Sequence, residues 1–199
     1  MKKEHITIYS FLFFLIFSYN PCKADIISNS LDYNVKVFGF TDPLFTGKKI
    51  MSIVVYAPDV PLDERADVEG AAVDLLKALG INATRGIEVI PPTRDDQADE
   101  ILSSSEAEAT LLVKTIELGF EERSTKTHVT KDFRTGEETT LPGRTWKTPL
   151  GKFNIELRTN VNRTVLWRAT SVAKGNYKIG IAGAAISGAI NTLRKDGLI

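Results

Sequence analysis

Apolar and polar positions change period several times along this chain, and each change marks an element. Tyr33, Val35 and Val37 alternate with Lys36 and Phe38, which predicts an edge strand. Ile50 to Ala57 is a short, nearly continuous apolar run rich in β-branched residues, as expected of a central strand covered on both faces. The period then lengthens. Val68, Ala72, Leu75, Leu76 and Leu79 follow helical spacing, Asp63 and Glu64 favour the first turn, and Gly80 supplies a stop. A strand is predicted over ATRGIEVIPP, closed by Pro91 and Pro92. A second helix starts at Thr93, with Asp96 three residues on in near capping-box spacing, and buries Ala98, Ile101 and Leu102.

ATLLVKTIELGFEER predicts a long strand that is apolar on both faces first and alternating later. In that alternation Ile116, Leu118 and Phe120 share one face, and Thr115, Glu117 and Glu121 the other. Residues 123–152 are polar and Thr-rich, an extended excursion with Arg134-Thr135-Gly136-Glu137 at its tip. KFNIELRTNV and TVLWRATSV predict a further strand pair, with Phe153, Ile155, Leu157, Val165, Trp167 and Ala169 inward and a tight connection at Asn162-Arg163. The last helix, GIAGAAISGAINTLRK, lines up Ile186, Ile190 and Leu193. The order β-β-α-β-α-β-β-β-α predicts an α/β (α+β) two-layer sandwich. Its mixed sheet has parallel strands joined by right-handed crossovers, followed by an antiparallel meander.

The amino-terminal pattern is of another kind. Lys2 and Lys3 precede an apolar stretch from Ile6 to Phe17, which Ser18, Asn20, Pro21 and Lys23 end. A membrane-crossing helix needs about 20 apolar residues. The shorter stretch matches a cleaved export signal, residues 1–24. Cys22 and Ala24 are small residues at the third and first positions before Asp25, which favours cleavage after Ala24. Lipid attachment at Cys22 competes, although Tyr19, Asn20 and Pro21 fit it poorly. Residues 25–30 then form a short tether and residues 31–199 a single domain, exported and periplasmic or associated with the cell envelope. Membrane association is peripheral, and only if Cys22 is lipidated.

Composition narrows the chemistry. Cys22 is the sole cysteine, so cleavage after Ala24 leaves no disulfide. The 25 basic and 25 acidic residues become 22 and 24 once Lys2, Lys3, Lys23 and Glu4 are gone. That balance gives no field for nucleic acid. Of two histidines, His5 leaves with the signal and His128 stands alone, which excludes zinc sites and triads built on a histidine pair. Asp63, Glu64, Asp67 and Glu69, and Asp95, Asp96, Asp99 and Glu100, read as solvated helix faces rather than a calcium loop. No catalytic constellation, cofactor site or metal site emerges, so the chain reads as a non-enzyme.

Two stretches remain as candidate binding sites. Arg144, Trp146, Lys147 and Lys152 interleave an aromatic with cations, suiting a partner protein or envelope polymer. Gly175, Asn176, Lys178 and Gly180 precede the last helix and offer an anion site, though without P-loop spacing. A hydrolase using carboxylates alone, with a pair such as Glu117 and Glu121 on one strand face, is the third reading.

FTDPLFTGKKIMSIVVYA, ERADVEGAAVDLLKALGINA, EATLLVKTIEL, TVLWRATS and INTLRKDGLI together resemble a group of small exported bacterial cell-envelope proteins of uncharacterised function, many of them lipoproteins. Leu166-Trp167 and Asp196-Gly197-Leu198 are the most particular parts. The resemblance implies envelope residence and a fold similar to the amino-terminal domain of TolB. It brings no active-site residues.

Overall fold

The computed structural model describes residues 24–30, 33–41, 49–175 and 180–199. Residues 1–23 of the expected export signal, Cys22 among them, lie outside the described residues, as do Asn176 and Lys178, whereas Ala24 is the first residue of β1. The elements run β1 (Ala24–Ser30), β2 (Tyr33–Thr41), β3 (Ser52–Tyr56), α1 (Leu62–Ala78), β4 (Asn82–Arg85), α2 (Gly86–Val89), a 3-10 turn (Pro92–Gln97) and α3 (Ala98–Ser103). They continue with β5 (Ala109–Ser124), β6 (His128–Lys131), β7 (Glu138–Leu141), β8 (Thr145–Thr159), β9 (Val165–Gly175) and α4 (Ile181–Lys195). Residues 25–30, expected to be a tether, are strand: β1 pairs antiparallel with β2.

One mixed sheet has the order β1-β2-β9-β8-β5-β3-β4. β3 is parallel to β4 and β5, and every other neighbour is antiparallel. The α/β class and the parallel-then-meander topology therefore stand. Ile53, Val55 and Ala57 of the β3 region face the main core, where α1 and α4 cover the sheet. Val54 and Tyr56 point the other way, into a smaller cluster with Ile90, Ala98, Leu102 and Leu112 under α3. That two-sided burial is why the run has no polar alternation.

Three local readings change. The strand expected over residues 83–92 stops at Arg85, and Gly86–Val89 turns helical. A Cβ on Gly86 would lie 2.7 Å from the Val55 carbonyl oxygen, so the chain passes beneath β3 where only glycine fits. Thr93 forms no side-chain cap. The 3-10 turn intervenes, with Arg94 at non-helical angles, and α3 begins only at Ala98. The buried side of α1 begins earlier than its aliphatic stripe: Arg65 and Glu69 are buried with Ala72, Val73 and Leu76.

α4 ends in a Schellman turn. Gly197, at φ 78°, donates its N–H to the Arg194 carbonyl, and Leu198 donates to that of Leu193. The Leu198 carbonyl accepts from Ile50 N–H at 2.9 Å, which fastens the chain end beside β3.

Candidate binding surface

Charged side chains gather first at the carboxyl end of β3. Glu69 is wholly buried and accepts from Arg65 Nε at 2.9 Å, Ala57 N–H at 3.0 Å and Ile87 N–H at 2.8 Å. Arg65, 1% exposed, also donates to Asp95 Oδ2 at 3.0 Å and lies 4.8 Å over the Tyr56 ring. Tyr56 donates its hydroxyl to Asp95 Oδ1. Burial, then the Asp95 charge, pushes the Tyr56 hydroxyl up to about 12. Burial opposes the Arg65 charge, but Asp95 and Glu69 outweigh it and hold its pKa above the usual guanidinium value. Each acid here is consumed in joining α1, β3, α2 and the 3-10 turn. The centre is structural, and it corrects the reading of Glu69 and Asp95 as parts of solvated faces.

Glu156 is held in the same manner farther across the sheet, on the face to which Tyr56 also points. Burial works against its charge, yet Arg158 and Arg168 beside it keep its carboxyl below the usual range. The cleft next to it, lined by Tyr56, Leu102, Arg158 and Arg163, is about 40 Å³, room for water rather than an organic substrate. Among the described residues, no group of three or more His, Cys, Asp or Glu is placed to hold a metal.

A second region leaves the core altogether. β5 and β8 pair from Ala109↔Thr159 out to Ser124↔Thr145, but β3 follows β5 only to Leu112, and β9 follows β8 only to Leu150. Beyond those points the pair is a two-stranded arm. Thr125 N–H continues it to the Arg144 carbonyl at 2.9 Å, and the β6–β7 hairpin forms the tip. Its turn is the expected one. Asp132 Oδ1 accepts from Arg134 N–H, and Gly136 takes φ 77°.

The arm's two faces are decided by a β-bulge. Thr115 pairs with Phe153, which faces the helices, whereas Glu117 pairs with Lys152, which faces away. Thr115 therefore belongs with the helix side and not with Glu117, contrary to simple alternation. Past the bulge, Leu118 (opposite Gly151) and Phe120 (opposite Pro149) also lie on the helix side. Leu118 is level with the start of α4, since Ile181 packs at Gly151, and Phe120 stands beyond it. Leu118 is 43% exposed and Phe120 57%.

The four residues proposed from sequence for partner contact do not form one cluster. Trp146 pairs with Arg123 on one face of the arm, and Lys147 with Glu122 on the other. Lys152 shares the Trp146 face but sits six residues back, roughly 20 Å along the strand at ~3.4 Å per residue. Arg144 lies at the base of the tip, its N–H bonded to Thr125 Oγ1. Glu121, on the Trp146 face, is held by Lys174 at 2.7 Å and by Arg123, and these two bonds lower its carboxyl pKa. Glu117 and Glu121 thus lie on one open face, with Glu121 already occupied.

At the tip Arg144 and His128 are joined by Thr125, Lys126, Leu141 and Pro142, which the sequence did not single out as a site, and together they line a hollow of about 330 Å³. Of the glycine-turn candidates, Gly175 ends β9 opposite Tyr33, and Gly180 precedes α4 at φ 91°. A Cβ on Gly180 would lie 2.8 Å from the Tyr33 hydroxyl.

No family model matches the chain, and no curated protein matches it. Among solved structures, it is similar to the PelC dodecamer from Paraburkholderia phytofirmans at 20% identity, over 80% of this chain and 94% of that one, with a TM-score of 0.47. A point variant of the same PelC in another crystal form gives 20% identity, 77% and 93% coverage, and a TM-score of 0.48. Lipoprotein GNA1162 from Neisseria meningitidis is 13% identical over 72% of this chain and 98% of that one, with a TM-score of 0.42.

Proposed function

We propose that this chain is an exported, non-catalytic binding module of the cell envelope, and that its β5–β8 arm contacts a partner protein or envelope polymer. One observation carries the reading. Past Leu150 the β5–β8 pair has no third strand beside it, and it carries Phe120, 57% exposed, on its helix side next to Leu118 at its root, and Trp146, 46% exposed, on its other face. A lone strand pair is marginal in water, and large apolar side chains left exposed on it mark a contact surface. The engagement of Glu69, Glu121 and Glu156 by cations supports a role without catalysis. Export rests on the Lys2 to Ala24 pattern. The envelope assignment draws on the sequence resemblance to exported proteins with a fold similar to the amino-terminal domain of TolB.

The test is capture of an envelope component by the purified chain. Arg144→Ala with Trp146→Ala, and separately Leu118→Ser with Phe120→Ser, should weaken capture while leaving the thermal midpoint unchanged. Undiminished capture by both variants contradicts the assignment of the arm.

A further inference from the structure

We infer that the hollow at the arm tip, walled by Lys126, His128 and Arg144 over Leu141 and Pro142, binds a carboxylate-bearing sugar unit of an acidic polysaccharide. This deepens the reading of the arm as the contact region and rests on it.

The charge pattern is the first support. Several cations are matched with acids, among them Arg65 with Glu69, Arg123 with Glu121, Arg163 with Asp99 and Lys174 with Glu121, while others such as Lys77 and Lys114 make no ion pair among the described residues but do not line this hollow. Lys126 and Arg144 make no ion pair among the described residues, and no carboxylate lines the hollow. Two unpaired cations at one concavity form a place for an anion. The planar guanidinium of Arg144 suits a carboxylate in particular.

Shape and rigidity are the second. At about 330 Å³ the hollow lies at the lower end of ligand-pocket sizes, enough for one sugar ring. Leu141 and Pro142 offer an apolar floor for the C–H face of a ring, and Thr125 a hydroxyl beside it. The strands crossing beneath are locked. Thr125 N–H donates to the Arg144 carbonyl, Arg144 N–H to Thr125 Oγ1, and Gly143 N–H to Thr127 Oγ1. A Cβ on Gly143 would lie 2.3 Å from the Thr125 carbonyl oxygen. The hollow is thus held at a crossing that only glycine permits.

An anionic membrane is the rival occupant, and the tip charge argues against it. Phe133, fully exposed at the turn, has Lys131 and Arg134 near it in sequence but also Asp132, Glu137 and Glu138. The turn that would insert first is net negative. A nucleic acid is disfavoured by the overall charge balance.

Calorimetric titration of the full chain decides the matter, with a linear galacturonate tetramer as probe, neutral maltotetraose as control and phosphatidylglycerol vesicles as a third arm. The expected result is salt-sensitive binding of the galacturonate tetramer, no maltotetraose binding, and at least about a tenfold loss with Lys126→Ala/Arg144→Ala. That factor is about 1.4 kcal/mol. Lys77→Ala, which removes an exposed cation of α1 outside the hollow, should bind as the parent does. Amide spectra showing an intact β5–β8 ladder exclude misfolding of the double variant. Equal binding of maltotetraose, undiminished binding by the double variant, an equal loss with Lys77→Ala, binding to vesicles alone, or no binding of the tetramer each overturns the inference. Trp146-dependent capture without tetramer binding removes this ligand while leaving the arm's role. Tetramer binding without Trp146-dependent capture does the reverse.

Discussion

Trp167 Nε1 donates to Asp196 Oδ2 at 2.9 Å, joining β9 to the turn after α4. The indole is wholly buried, and Asp196 is exposed at the rim, where it also accepts weakly from Thr41 Oγ1 at 3.4 Å. The two most particular pieces of the sequence resemblance, Leu166-Trp167 and Asp196-Gly197-Leu198, are therefore two halves of one contact. Asp196→Ala strands a buried N–H and should cost about 1–3 kcal/mol in urea unfolding. Trp167→Phe in that background should cost less than in the parent, because the N–H is then absent. Strict additivity in the double-mutant cycle would show that the bond contributes nothing.

Glu69 carries the junction of α1 with β3 and α2. Replacing it with Ala leaves Arg65 buried with Asp95 alone and orphans the amides of Ala57 and Ile87. Breaking a buried pair costs about 3–5 kcal/mol. Glu69→Gln, which keeps one acceptor oxygen, should lose less. A urea midpoint for Glu69→Ala within error of the parent would mean that the pair is solvated in solution.

Two glycines of α4 should respond with opposite sign. A Cβ at Gly188 would lie 2.7 Å from Val35 Cγ1, whereas at Gly183 it meets nothing within 4 Å. Gly183→Ala should stabilise by roughly 0.5–1 kcal/mol, from helix propensity alone. Gly188→Ala should destabilise by about 1–3 kcal/mol through overpacking. Thermal midpoints moving in the same direction would place α4 farther from β2 than the structure has it.

Tyr56 gives an alkaline signature. Its hydroxyl titrates near 10 when unfolded and near 12 when folded. The folded state thus holds the proton more tightly, and its advantage is complete below pH 10. That advantage, at most about 3 kcal/mol for two units, fades as pH rises from 10 through 12. Tyr56→Phe should flatten this decline while lowering stability near neutrality. The near-ultraviolet tyrosinate titration should also lose its latest-ionising group. A parent titration without a late group would contradict the burial of the Tyr56 hydroxyl and, with it, the Asp95 contact.

Much of this architecture was legible because period alone reveals it. The inward sets Phe153, Ile155, Leu157 and Trp167, Ala169 on β8 and β9, and Ile186, Ile190, Leu193 on α4, lie where alternation and helical spacing put them. Arg65 and Glu69 were missed because charge was read as solvation. Their spacing to Ala72, Val73 and Leu76 already carried the buried stripe. β4 ends early because of the close passage at Gly86, a tertiary fact with no local pattern. For the candidate surface, the divergence of Trp146 and Lys147 follows once β8 is known to start at Thr145, since neighbours on a strand point apart. The tip hollow joins Lys126 to Arg144 through strand pairing, and sequence proximity to Trp146 gives no hint of it.

The irregularity between Thr115 and Glu117 makes the arm's orientation a matter of counting. One residue of slack in β5 acts as a half-turn coupling between body and arm, so handedness at the far end is inherited from a position deep in the sheet. Unbroken pairing from Thr115 with Ile116 kept in the ladder would set Leu118 opposite Leu150 and turn it and Phe120 to the flank away from the helices, so that whatever docks there would meet the wrong side of the lever. Deleting Ile116 instead takes up the slack and leaves Leu118 opposite Gly151, on its present flank.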